Sequence, residues 1–138
     1  MIAHNAASRP APLRRAMIAE DSLLILLALE MLLEQHDVCI AAQASTVAEA
    51  RALADIGNFD IAILDINLHG DMVFPVADLL CQRGIPVIFT TGYAIGELRP
   101  QRFANVPIIQ KPYDAEALMV LVEQAFVCAG APLAPSVP

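Results

Sequence analysis

The sequence predicts an α/β protein built on a doubly wound, five-stranded parallel sheet. Three observations predict it. Short segments that suit strands alternate with segments that suit helices five times, and strands joined through helical crossovers pair in parallel. The third strand segment, Phe59–Leu64 (FDIAIL), is a nearly unbroken apolar run, as expected of a strand covered on both faces. The chain is also 57% apolar but only 5% aromatic, which suits a layered core of Ala, Leu, Ile and Val.

Each element follows in order. Arg15–Ala19 is a short strand ending at Glu20-Asp21, and Ser22 begins a helix that runs to about Gln35. Val38–Ala44 is the second strand. Thr46-Val-Ala-Glu49 matches a capping box, in which the Thr46 hydroxyl takes the Glu49 amide and Glu49 reaches back. The helix it starts stops at Gly57, read as a left-handed C-cap. After the third strand, a helix spans about Val73 to Arg83 and ends at Gly84. Ile85–Thr90 is the fourth strand, with Pro86 near its start, where a missing donor does least harm. A weak helical segment over Ile95–Phe103 is limited by Gly96 and Pro100. Val106–Gln110 is the fifth strand. Asp114 caps a last helix, whose buried face is marked by Leu118, Leu121, Val122, Ala125 and Phe126.

Residues 1–13 read as a disordered leader, 14–128 as one domain and 129–138 as a disordered Pro-rich tail. The net charge of −7 argues against binding a run of nucleic-acid phosphates, and Arg9, Arg14 and Arg15 are too few to make a basic arm. The apolar run Leu23–Leu33 is interrupted by Glu30 and is shorter than the roughly 18 residues a membrane span needs. It reads as a buried helix, with one stripe left to face a partner. No signal peptide is evident. Cys39, Cys81 and Cys128 lie in apolar stretches without metal spacing and read as small hydrophobes in a reducing cytoplasm.

Ligands collect at the carboxyl ends of the strands in such sheets. Glu20 and Asp21 end the first strand, Asp65 the third, Thr91 the fourth and Lys111 the fifth. Three crowded carboxylates conflict unless cations compensate them. Mg²⁺ prefers oxygen ligands and needs only one or two carboxylates plus a phosphoryl oxygen. With the Lys111 ammonium and the Thr91 hydroxyl, the set makes a clamp for a phosphoryl group. Asp65, at the end of the middle strand, is the candidate nucleophile.

The series AED at 19–21, LDINL at 64–68, TTGY at 90–93 and QKP at 110–112 resembles the receiver domain of two-component response regulators, over roughly residues 14 to 128. The resemblance implies a flavodoxin-like (βα)5 fold and a cytoplasmic signalling domain rather than an enzyme. It implies that Asp65 accepts a phosphoryl group from a histidine kinase. Asp21 and Asp65 would ligate Mg²⁺, Glu20 would hold a metal-bound water, and the Asn67 backbone carbonyl would be a further ligand. Thr91 and Lys111 would bind the phosphoryl oxygens, and Pro112 would shape the loop that aims Lys111. Output would go to an unknown downstream protein or a phosphorelay partner, with no nucleic acid and no membrane insertion. The chain departs from most receivers at Ile108, where an aromatic residue usually stands, which puts the usual paired Thr–aromatic switch in doubt. Phe89-Thr-Thr-Gly-Tyr93, with the Pro75–Asp78 segment, resembles an atypical, often single-domain subgroup with an F-x-T-G-Y signature. Tyr93 is a candidate cover for the acyl phosphate, and His69 reads as a solvated loop residue.

Two other readings compete. Phosphotransferases of the haloacid-dehalogenase kind also use a strand-end Asp with Mg²⁺. They resemble D-x-D, however, and here Asn67 stands where the proton-delivering Asp is needed. A non-phosphorylated interaction module or small flavodoxin-like binder is the other. The absence of a Gly-rich phosphate loop after the first strand weakens the binder.

Overall fold

Strand β1 (Arg14–Ala19) alternates its side chains between two hydrophobic layers, and the rest of the chain is arranged around that division. Ala16 and Ile18 face one layer, Met17 and Ala19 the other. The computed structural model describes residues 14–92 and 99–130. The expected leader and the stretch from residue 131 onward lie outside them.

Helix α1 (Leu23–Gln35) follows β1, then β2 (Val38–Ala44), α2 (Val47–Ile56) and β3 (Ile61–Asp65). A short hairpin, β4 (Asn67–Leu68) and β5 (Asp71–Met72), precedes α3 (Phe74–Gln82). Strand β6 (Val87–Thr91), a 3₁₀ turn (Gln101–Phe103), β7 (Ile108–Gln110) and α4 (Ala115–Gly130) complete the described residues. The five long strands form one parallel sheet in the order β2-β1-β3-β6-β7, with β3 at its centre. This is the flavodoxin-like order of a doubly wound sheet.

Leu29 and Leu33 of α1 and Leu118, Val122 and Phe126 of α4 pack on Ile18, Ile61, Ile63 and Ile88. On the opposite face, Ala50 and Ala54 of α2 and Val76, Ala77 and Leu80 of α3 cover Met17, Leu64 and Phe89. Three rings anchor that second layer. Phe74 stacks on Phe103 at 5.7 Å, and Phe89 meets the edges of both, at 5.8 and 5.5 Å. Ile108 pairs in register with Phe89, so an aromatic cluster stands beside the position where the sequence lacks one.

The caps hold with two corrections. Ser22 accepts the Ile25 amide, Thr46 the Glu49 amide and Asp114 the Ala117 amide. Glu49 reaches back to the Thr46 amide only weakly and accepts mainly the Ser45 amide and hydroxyl. Gly57 is not a left-handed cap: its φ is −72°, and glycine is needed because a Cβ there would run into the Phe59 ring. Gly84, at φ +75°, does end its helix in the left-handed region.

Three strands begin later than the sequence suggests. Strands β6 and β7 each start immediately after a proline, Pro86 and Pro107. Proline has no N–H for the ladder, yet both carbonyls still accept, from Ala62 and Phe89. Strand β3 starts at Ile61, and the Phe59 ring before it lies over Gly57. Of the weak helix expected over Ile95–Phe103, residues 93–98 lie outside the described residues, and only the 3₁₀ turn is seen. Helix α4 runs to Gly130, two residues past the expected domain boundary.

Candidate functional site

All five long strands point the same way, so their carboxyl ends meet at one rim of the sheet. Asp65 is the last residue of the central β3, and Glu20 and Asp21 follow β1 directly. Thr91 closes β6, and Lys111 is the first residue after β7. The backbone sets their relative heights. The Glu20 amide bonds the Ala44 carbonyl, the Ile66 amide bonds Thr90, and the Lys111 amide bonds Thr91 at 2.7 Å.

Lys111 Nζ lies 2.7 Å from Asp65 Oδ2 and 3.0 Å from Glu20 Oε1. Glu20 is only 3% exposed, and its Oε2 also accepts the Ser22 amide. Asp21 accepts the His69 amide at 3.0 Å, and the His69 ring approaches the same oxygen at 3.8 Å. Carboxylate oxygens of Glu20, Asp21 and Asp65 all lie within 4.8 Å of one another. The Lys111–Pro112 peptide is cis.

Burial pushes the Glu20 carboxyl above its ordinary value, more than Lys111 and the Ser22 amide can offset. Burial acts the same way on Asp21, but the His69 amide, the His69 ring and Glu20 together hold it below the usual carboxylate range. Burial would lower Lys111, yet its bonds to Asp65 and Glu20 raise it. Tyr113 is pushed up to about 12 by burial and by the charges of Glu20 and Asp65.

One ammonium thus faces three acids. The donor set left to a cation is hard oxygen, which suits Mg²⁺ or a similar divalent ion better than soft metals. The residues fit such an ion, and the excess of negative charge gives it a reason to bind.

The residues expected to converge do so: Glu20, Asp21, Asp65 and Lys111 form one cluster, with Thr91 buried at the adjoining strand end. Asn67 donates its amide to Asp65 Oδ1 at 3.2 Å, and its side-chain oxygen accepts from Gly70 at 2.7 Å. Tyr93 lies outside the described residues. Sequence reasoning missed the β4–β5 hairpin and, with it, the part His69 plays: its backbone, more than its ring, reaches the site. The available signal was the dipeptide His69-Gly70, since both residues have positive φ. Tyr113 was also missed, although it follows Lys111 and Pro112 directly.

Among the described residues no helix is long and apolar enough to cross a membrane. The model of the response regulator receiver domain matches residues 16–123, and the chain belongs to that family. Members of the family are signalling domains that bind Mg²⁺ at an acidic cluster and interact with histidine kinases. The chain is 35% identical to SdrG from Sphingomonas melonis Fr1, covering 86% of this chain and 100% of that one, with a TM-score of 0.74. It is 25% identical to the receiver domain of PhyR from Erythrobacter litoralis, covering 91% and 97%, also with a TM-score of 0.74. The transcriptional regulatory protein PdtaR of Mycobacterium tuberculosis is 26% identical over 115 residues, 81% of this chain. The chain spans only 56% of the length of that relative.

Proposed function

We propose that this chain is a cytoplasmic response regulator that accepts a phosphoryl group on Asp65 from a histidine kinase, in a Mg²⁺-dependent site, and signals through protein–protein contacts. The observation that carries the reading is the 2.7 Å contact between Lys111 Nζ and Asp65 Oδ2 inside a cluster of three carboxylates. In its support, the related SdrG has a BeF3-activated conformation, at 35% identity and a TM-score of 0.70.

In the proposed reaction an Asp65 carboxylate oxygen attacks the phosphorus of a kinase phosphohistidine. The new O–P bond forms as the P–N bond breaks, and the imidazole leaves with the pair of electrons from that bond. Asp21 and Asp65 would hold Mg²⁺, with the Asn67 backbone carbonyl and, through water, Glu20. When bound, the ion supplies charge neutralisation on the transferring oxygens. Lys111 then pairs with the phosphoryl oxygens, and Glu20 keeps its ammonium at the rim. The Thr91 hydroxyl donates to the new dianion, which moves the end of β6. Coupling of this kind is typically worth about 1–3 kcal/mol, enough to change affinity for a partner protein.

The donor has a surface to meet. Leu23, Leu24, Leu27 and Met31 of α1 are exposed, and Leu24 borders an apolar cavity of about 400 Å³ shared with Ile25, Lys111, Pro112 and Tyr113. An apolar cavity next to Lys111 supports docking of the kinase on this side.

The test is phosphorylation with acetyl phosphate and Mg²⁺, followed by intact mass spectrometry and mapping of the acid-labile adduct. One phosphoryl group on Asp65, absent in Asp65→Asn and without Mg²⁺, is expected. An adduct that persists in Asp65→Asn would reject the reading.

A further inference from the structure

We propose that Asn67 is a positioning residue for the cation site, acting through the turn it closes rather than through its side chain at the metal. The inference rests on the Mg²⁺-dependent reading given above. Three contacts carry it. The Asn67 amide donates to Asp65 Oδ1 at 3.2 Å, the Gly70 amide donates to Asn67 Oδ1 at 2.7 Å, and the His69 amide donates to Asp21 Oδ2 at 3.0 Å.

Strands β4 and β5 are joined by just two residues, His69 and Gly70, with φ of 52° and 92°. Both angles belong to a tight hairpin turn, a conformation that glycine adopts freely and a residue with a side chain adopts only uncommonly. The Asn67 carboxamide engages the second of these residues and so holds the turn closed. While the turn is closed, its first residue presents an N–H to Asp21. The strand residue that carries the carboxamide presents another to Asp65. One short piece of backbone therefore grips a carboxylate from β3 and a carboxylate that follows β1. Two acids that repel each other are held close by a shared frame, before any cation arrives. Partners that orient metal ligands in this way typically change metal affinity by about 10–100-fold.

The side-chain oxygen of Asn67 is the adjustable part. Asn67→Ala removes it, and Asn67→Asp keeps an acceptor of the same reach. Gly70→Ala attacks the turn from its other side: a Cβ there meets nothing within 4 Å, so only the φ of +92° is penalised, and no carboxylate is touched.

The experiment has two readouts on the full chain. In protein stripped of metal with EDTA, NMR measures amide hydrogen exchange at His69 and Gly70. Asn67→Ala should speed it about tenfold, the scale of one lost hydrogen bond, and Asn67→Asp should keep it slow. In calorimetric titrations with MgCl₂, Asn67→Ala and Gly70→Ala should each weaken binding about tenfold or more. Unchanged exchange in Asn67→Ala, or unchanged Mg²⁺ affinity in both variants beside a wild type that binds, would overturn the inference alone. A wild type that binds no Mg²⁺ would overturn the phosphoacceptor reading, and this inference with it.

Discussion

Lys111 Nζ lies 3.0 Å from Glu20 Oε1 while the same nitrogen holds Asp65 Oδ2 more tightly, at 2.7 Å. The lysine thus serves two acids at the ends of two strands. Lys111→Ala leaves two buried carboxylates without their cation. The expected cost is about 3 kcal/mol, at the lower end of the range for breaking a buried pair, because Glu20 can take up a proton instead. Added Mg²⁺ should recover part of it. Urea unfolding with EDTA and with MgCl₂ checks both statements, and a Lys111→Ala protein as stable as wild type in EDTA would contradict them.

Acid should act on the fold in two opposed ways. Glu20 has a folded-state value above its ordinary 4.5, so the folded protein takes up that proton more readily than the unfolded chain. The Glu20 contribution to stability therefore rises as pH falls through the raised value towards 4.5. Asp21 is held below 3.8, so its contribution is present above that value and is lost as pH falls through the lower one. In metal-free protein, Glu20→Gln should abolish the gain seen on acidifying from neutrality to 4.5. Chemical denaturation at a series of pH values reads this directly, and an unaltered pH profile would refute it.

Leu24 is 80% exposed on α1, next to the cavity beside Lys111. Leu24→Glu should leave stability within about 0.5 kcal/mol of wild type. Phosphorylation by acetyl phosphate should be unaffected, whereas transfer from a histidine kinase should slow by about tenfold or more, the equivalent of about 1.4 kcal/mol. Stopped transfer assays with both donors separate the two. Equal rates from the kinase would remove α1 from the docking surface.

Phe103 lies against both Phe74 and Phe89, so Phe103→Ala opens a cavity in the layer between the sheet and α3. Its cost should be about 3–5 kcal/mol. Arg102→Ala removes a two-pronged but exposed, solvent-screened ion pair with Asp78 and should cost far less. Thermal and urea denaturation rank the two, and a reversed order would show that the ring cluster is not well packed.

The sheet and most of the site were legible in the sequence for one reason: parallel strands bring their carboxyl ends to a common rim. Glu20, Asp21, Asp65 and Lys111 each follow an apolar strand segment, and that register is enough to predict their meeting. What escaped was short-range and conformational. The β4–β5 hairpin is too brief to show any periodicity, and its turn depends on a histidine with positive φ, which composition does not announce. Gly57 does end α2, but with an extended rather than a left-handed backbone, and its smallness makes room for the Phe59 ring. Two strand starts shifted because a proline nitrogen cannot donate to the ladder, although its carbonyl still accepts. The pairing of Phe74 with Phe103 joins residues distant in sequence, and no local pattern predicts it.

The sheet also partitions the molecule's dealings with others. Helix α1, with its bare leucines, belongs to one side of it, while the phenylalanine cluster and α3 belong to the other. Asp65, the proposed phosphoacceptor, ends the strand in the middle, common property of both sides. A kinase seated on the first side leaves the second uncovered, so a target recognising the far side would not have to queue for a place.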